Sequence, residues 1–271
     1  MAWKEAWSYA SKWVNSDKKE ADAEHREAQR EDAHLPLGAR IGSVLSLQKS
    51  PFLQAQFQGS LVEMPRDEEA LICAISRVKT SLHGDIYRYY LHTGDDTHAE
   101  KFVQIYVDKT GAASGAVREV LYCSGLLRLS PDSVQEQEAF LGEAGYGLGE
   151  RSFSLWRGQI ADLGFDEARL SATFIDQESV VYQRDIGDSE LDFVAPIRGV
   201  ETRIDNAAGT QGLQQQIIFM PYSRVLGGEQ REILLISTEI IESEHGDRAK
   251  HGIYVDFMIG IPIDVERLVV Q

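Results

Sequence analysis

From residue 37 onward, short runs rich in β-branched and aromatic residues recur between turn signals, the pattern of half-buried strands. The spacing predicts strands at 40–47, 70–78, 86–92, 102–108, 117–123, 170–175, 179–184, 191–197, 215–222, 232–241 and 252–261. Lys109-Thr110-Gly111 and Gly227-Gly228-Glu229 supply turns, and residues 242–251 a hairpin loop. One helix is predicted at Asp132–Leu141, with Pro131 in its first turn. A second, shorter one falls at 150–157 or 166–169. Eleven strand runs with few helices imply an α+β fold, predominantly antiparallel β-sheet in a sandwich- or barrel-like body.

The N-terminus follows another period. At ~100° per residue, Trp3, Ala6, Trp7, Ala10, Trp13 and Val14 fall on one side of a helix over 2–14. That amphipathic helix either docks a partner through Trp3, Trp7, Trp13 and Val14 or packs on its own domain. Residues 17–34 contain no large apolar residue, so they form a solvated helix or a tether that ends before Pro36. The chain therefore divides into residues 1–34, helix plus charged tether, and a β-rich body over 35–271. Gly142, Gly145, Gly147 and Gly149 mark a connector near 142–150, where two halves of the body could meet; one continuous fold is the alternative.

Charge narrows the partners. The 271 residues carry 43 acids against 27 bases, a formal net charge of -16. A surface this acidic disfavours general nucleic-acid binding, which needs basic groups for phosphate. No apolar run reaches the ~20 residues of a membrane span. Peripheral membrane contact through the Trp helix stays open. The first residues lack the apolar core of a secretory leader, which sets the expectation of a cytoplasmic protein. Cys73 and Cys123, each in an apolar stretch, are expected to be buried and reduced.

Candidate chemistry is sparse. No GxxxxGK[ST], GxSxG or HExxH occurs, and Gly145–Gly149 does not match a dinucleotide fingerprint. No cofactor is expected. His83, His92, Asp95, Asp96 and His98 form the densest set of metal-ligand types, at spacings that match no zinc signature. A solvated acidic turn is the preferred reading of them, and metal binding the alternative. Tyr87 and Tyr89 share one face of a strand, while Arg88 and Tyr90 share the other.

Leu35-Pro36-Leu37-Gly38-Ala39-Arg40-Ile41-Gly42, Tyr87–Leu91 followed by Phe102–Val107, Phe219-Met220-Pro221-Tyr222-Ser223-Arg224 and Glu232–Glu239 together resemble the YjfK-like bacterial family. The resemblance covers about residues 35–271. It implies no reaction and no catalytic residues, only a cytoplasmic accessory role linked to membrane stress.

Two functions are therefore expected. The first is a non-enzymatic interaction protein with a protein partner or self-association, through the Trp helix or an exposed strand such as 232–241. The second is a small-ligand or metal-binding protein, or an enzyme, with its site near 83–98 or 142–149.

Overall fold

The computed structural model describes residues 30–94, 99–110, 115–228, 230–241 and 252–271. The Trp helix, with Trp3, Trp7, Trp13 and Val14, lies outside the described residues. Twelve strands run β1 Val44–Leu47, β2 Glu69–Thr80, β3 Gly84–His92, β4 Lys101–Asp108, β5 Val117–Leu129, β6 Ser152–Trp156, β7 Ser179–Arg184, β8 Ile197–Ile204, β9 Gly212–Val225, β10 Arg231–Ile241, β11 Gly252–Pro262 and β12 Leu268–Val270. Among the described residues four α-helices lie between them: α1 Ser50–Phe57, α2 Val134–Leu141, α3 Arg157–Asp162 and α4 Glu167–Phe174.

Eight strands close a barrel in the order β2-β3-β4-β5-β11-β10-β9-β8, with β8 returning to β2. Every pair in it is antiparallel. Closure removes the free edges that an open sheet would expose. Outside the barrel, β1 and β12 extend one end of β2, and β7 and β6 extend one end of β9. Strands from both sides of residues 142–150 join this one barrel, for β5 pairs β11 and β2 pairs β8. The strand at 232–241 is interior to the sheet, paired on both sides, and offers no free edge.

An eight-stranded barrel is just wide enough for side chains to fill it. Ala74, Val78, Ile86, Phe102, Leu121 and Met258 are among the side chains that do so. A larger core lies on the outer face, where the helices and extra strands cover the barrel. Phe52 of α1 meets Tyr122 edge-on at 4.8 Å, and Phe140 of α2 meets Phe257 at 5.9 Å. The period-2 split of β3 has its consequence here: Tyr89 packs outward into this second core, while Arg88 and Tyr90 point into the barrel.

Several predicted elements differ. Residues 170–175 are helix, not strand: Asp166 caps α4, accepting from Arg169 N at 2.8 Å, and Leu170 and Phe174 bury one face at i, i+4. The apolar run is short enough to fit either period. The strand predicted at 191–197 begins only at Ile197, directly after Pro196. The helix predicted from Asp132 starts at Val134, where Ser133 and Glu136 form a capping box. At 150–157 the chain forms β6 instead of a helix, and α3 follows it. Cys123 is buried as expected, and burial pushes its thiol up to about 12. Cys73 is exposed, because a register shift between Ile72 and Ala74 leaves it as the extra residue of β2.

The tether's last residues are part of the folded body. Asp32 is fully buried, accepting from Ile41 N at 2.7 Å and from Arg30 Nε at 2.8 Å. Glu31 N donates to Ala207 O at 2.9 Å. No helix among the described residues is long and apolar enough to cross a membrane.

Candidate ligand site at the barrel mouth

Antiparallel partners share a face, so the register defines what lines the barrel. Arg88 pairs Ser76 on β2 and Gln104 on β4, and Val78 pairs Glu201 on β8. These inward positions bring Arg88 Nη1 to 3.3 Å from Glu201 Oε2, with side-chain exposures of 4% and 1%. Ser76 Oγ and Tyr90 OH donate to Glu201 Oε1, and Gln215 Nε2 donates to Oε2 at 3.1 Å. Arg88 Nε donates to Gln104 Oε1 at 3.1 Å. Burial opposes charge on Glu201, but Arg88 and the three donors hold its carboxyl below the usual range. Two polar atoms of this buried network have no partner among the described residues: Arg88 Nη2 and Gln215 Oε1.

Charges continue outward to one end of the barrel. Arg128 at the end of β5 reaches Asp256 on β11 and Glu239 on β10, each at 3.0 Å, and lies over the Tyr254 ring at 4.7 Å. Arg203 of β8 pairs Glu100 at 2.9 Å and covers the Tyr90 ring at 4.1 Å. A cavity of about 330 Å³ opens here, lined by Glu100, Leu127, Arg128, Asp256 and Met258 among others. Burial, then the neighbouring Glu239, push the Asp256 carboxyl up to about 7, against the pull of Arg128. Beside the cavity β5 carries a bulge: Leu127 pairs Phe257 and Gly125 pairs Met258, so Leu126 is extra. Bulges of this kind re-aim side chains and recur beside functional sites.

No family model, curated protein or solved structure matches this chain.

Of the residues singled out from sequence, Asp95, Asp96 and His98 lie outside the described residues. His83 precedes β3 and His92 ends it, so about 30 Å of strand separates the two. One ion cannot bind both. Among the described residues no group of three His, Cys, Asp or Glu could hold a metal ion. From the 83–98 region, Arg88 and Tyr90 join the buried network around Glu201 inside the barrel.

The glycine connector is packed against its neighbours. Gly149 N donates to Tyr222 OH at 2.9 Å, and Val194 N donates to Gly149 O at 2.9 Å. Arg184 Nη1 donates to the same Gly149 carbonyl at 2.8 Å. A Cβ on Gly149, whose φ is +118°, would stand 2.3 Å from Val194 O. Gly142, Gly147 and Gly149 serve close backbone approach, and Gly145 a left-handed turn.

Glu201, Gln215, Glu239 and Asp256 were not visible as site residues in the sequence. Their one signal is a polar residue at an inward position of a strand. That signal is readable only once inward and outward faces are known.

Proposed function

We propose that this protein is a binding protein that holds a small, positively charged organic ligand at the barrel mouth. The observation that carries the reading is the 330 Å³ cavity, whose wall holds Glu100 and Asp256, with Glu239 bonded to the same Arg128 as Asp256 and Glu100 bonded to Arg203. Repulsion from Glu239 adds to burial in pushing the Asp256 carboxyl up to about 7. An ammonium or guanidinium group would relieve that repulsion. Behind the cavity, the unpartnered Gln215 Oε1 is an acceptor without a donor. The absence of a nucleophile–base pair among the sequence motifs supports binding over catalysis, as does the resemblance to the YjfK-like family, which implies an accessory role.

The test is calorimetric titration of the full chain with butylamine and with butanol. Saturable binding of the amine alone supports the reading, and the Asp256 carboxyl should then titrate below about 7 in the complex. Equal binding of both probes, or of neither, removes it.

A second reading is docking of a protein partner. An apolar cavity of about 410 Å³ lies between α2, β6, α3 and the end of β5, with Leu126, Leu129, Phe140, Leu163 and Phe257 in its walls. Trp156 stands at its rim with 53% of its surface exposed. Exposed tryptophan over an apolar groove suits a protein interface. A Trp156→Ala variant that keeps every interaction of the intact protein would count against this reading.

A further inference from the structure

A third cavity, of about 400 Å³, adjoins the mouth on the other side of the β5 bulge. The two share Ala99, Gly125 and Leu126 in their walls. Its apolar lining comes from Leu126, Leu163, Phe165 and Ile259. Its cation is Arg169 of α4. The Arg169 guanidinium lies 4.8 Å over the Phe165 ring, and its Nη2 donates to Val62 O. That placement fixes the group without neutralising it. Among the described residues, Arg169 meets no carboxylate at ion-pair distance. Its Nε is buried and has no hydrogen-bond partner among the described residues. Burial of the charge even pulls its pKa below the usual arginine value.

Three acids lie close enough to act on its charge, Glu232 most strongly, and each is bonded elsewhere: Glu232 pairs Arg224 at 2.7 Å. Glu63 pairs Lys101 at 3.3 Å. Asp166 accepts from the Arg169 backbone as the cap of α4. The pocket therefore combines a fixed guanidinium, in no direct ion pair among the described residues, with a wall that is apolar on the side of Leu126, Leu163, Phe165 and Ile259, at a size suited to a small molecule. Arginine presents its donors in a planar fork that matches a carboxylate.

From this arrangement we infer that the cavity is a binding site for a small monocarboxylate with an apolar tail. The carboxylate pairs with the part of the Arg169 guanidinium that faces the cavity, beside the buried Nε. The tail lies against Leu126, Leu163 and Ile259. The site is separate from the cation site proposed at the mouth and does not depend on it.

The full chain is titrated with hexanoate, hexanol, hexylamine and inorganic phosphate, with the Arg169 Nε–H followed by NMR. Saturable hexanoate binding that moves this resonance is expected. Hexanol should bind at least tenfold more weakly, and so should phosphate, which lacks the tail. Arg169→Met, which keeps the length of the stem, should weaken hexanoate at least tenfold. Asp256→Asn should leave hexanoate binding unchanged, and Arg169→Met should leave butylamine binding at the mouth unchanged. Leu163→Trp, which fills the cavity from its exposed edge, should block hexanoate with Arg169 intact; it decides the matter if Arg169→Met does not fold. Hexanoate affinity unaltered by either substitution overturns the site. Hexanol or phosphate binding as tightly as hexanoate overturns it as well.

Discussion

Arg88 on β3 and Glu201 on β8 meet inside the barrel although their strands are not neighbours, with Nη1 3.3 Å from Oε2. Both strands flank β2, whose Ser76 donates to the same carboxylate. The pair therefore joins three strands at the seam where the barrel closes. Residues 113 positions apart make this contact, so it exists only in the closed sheet.

Breaking that pair from one side should cost much more than removing it whole. Glu201→Leu leaves a buried guanidinium uncompensated, a loss of about 3–5 kcal/mol. The double variant Arg88→Met/Glu201→Leu should recover most of it, because two apolar chains of similar volume need no desolvation. Urea unfolding of the two single variants and the double one measures the difference. A double variant no more stable than Glu201→Leu contradicts the argument.

Glu232 is a second buried carboxylate, on the outer face. It accepts from Leu61 N at 2.7 Å, Tyr182 OH at 2.6 Å, Arg224 Nε at 2.7 Å and Ser60 Oγ. It thus pins the segment after α1 onto the barrel. Tyr182→Phe should cost about 1–3 kcal/mol, the penalty of one lost buried hydrogen bond to a charged group. Glu232→Leu should cost about 3–5 kcal/mol and expose the 58–63 segment to protease. Protease resistance in Glu232→Leu equal to that of the parent chain would show that the segment is held by packing alone.

Stability should carry the signature of Asp256. Its folded-state pKa is raised from 3.8 to about 7, so the folded chain holds a proton that the unfolded chain releases. A raised acid favours folding most at low pH, and that contribution is lost as pH rises. Relative to Asp256→Asn, the parent chain should lose stability between about pH 4 and pH 7 and then level off. Thermal unfolding of both chains across that window is the measurement; a constant difference between them contradicts the burial of this carboxyl.

Gly149→Ala should destabilise the connector severely. Its φ of +118° disfavours any side chain, and the added Cβ would collide with Val194 O. Gly145→Ala is the control, since a Cβ there meets nothing within 4 Å and only its φ of +77° is unfavourable. The expected order of unfolding midpoints is parent, Gly145→Ala, then Gly149→Ala.

Assembly through the Trp helix is testable by light scattering on the full chain and on one starting at Arg30. Starting at Leu35 would remove Asp32, whose carboxylate is buried in the body and bonds Ile41 N. A monomeric short chain beside a larger full-length species assigns self-association to residues 1–29. Equal masses remove that role.

The sequence by itself determined the β-rich class, most strand positions and the two faces of β3. These follow from local alternation, which one strand displays without its neighbours. The 170–175 run escaped because six residues fit a helix as well as a strand, and only the Asp166 cap and the burial of Leu170 and Phe174 decide between them. β8 escaped because its inward positions include Gly199, Glu201 and Arg203, so its alternation does not read as apolar against polar. Closure into a barrel was decided by tertiary pairing of β8 with both β2 and β9. The candidate sites belong wholly to that level. A buried carboxylate reads in sequence like any other of the 43 acids. Only the packed barrel withdraws water from Glu201 and Asp256 and sets Arg169 in a cavity with no carboxylate partner, because desolvation and charge pairing are properties of neighbours distant along the chain.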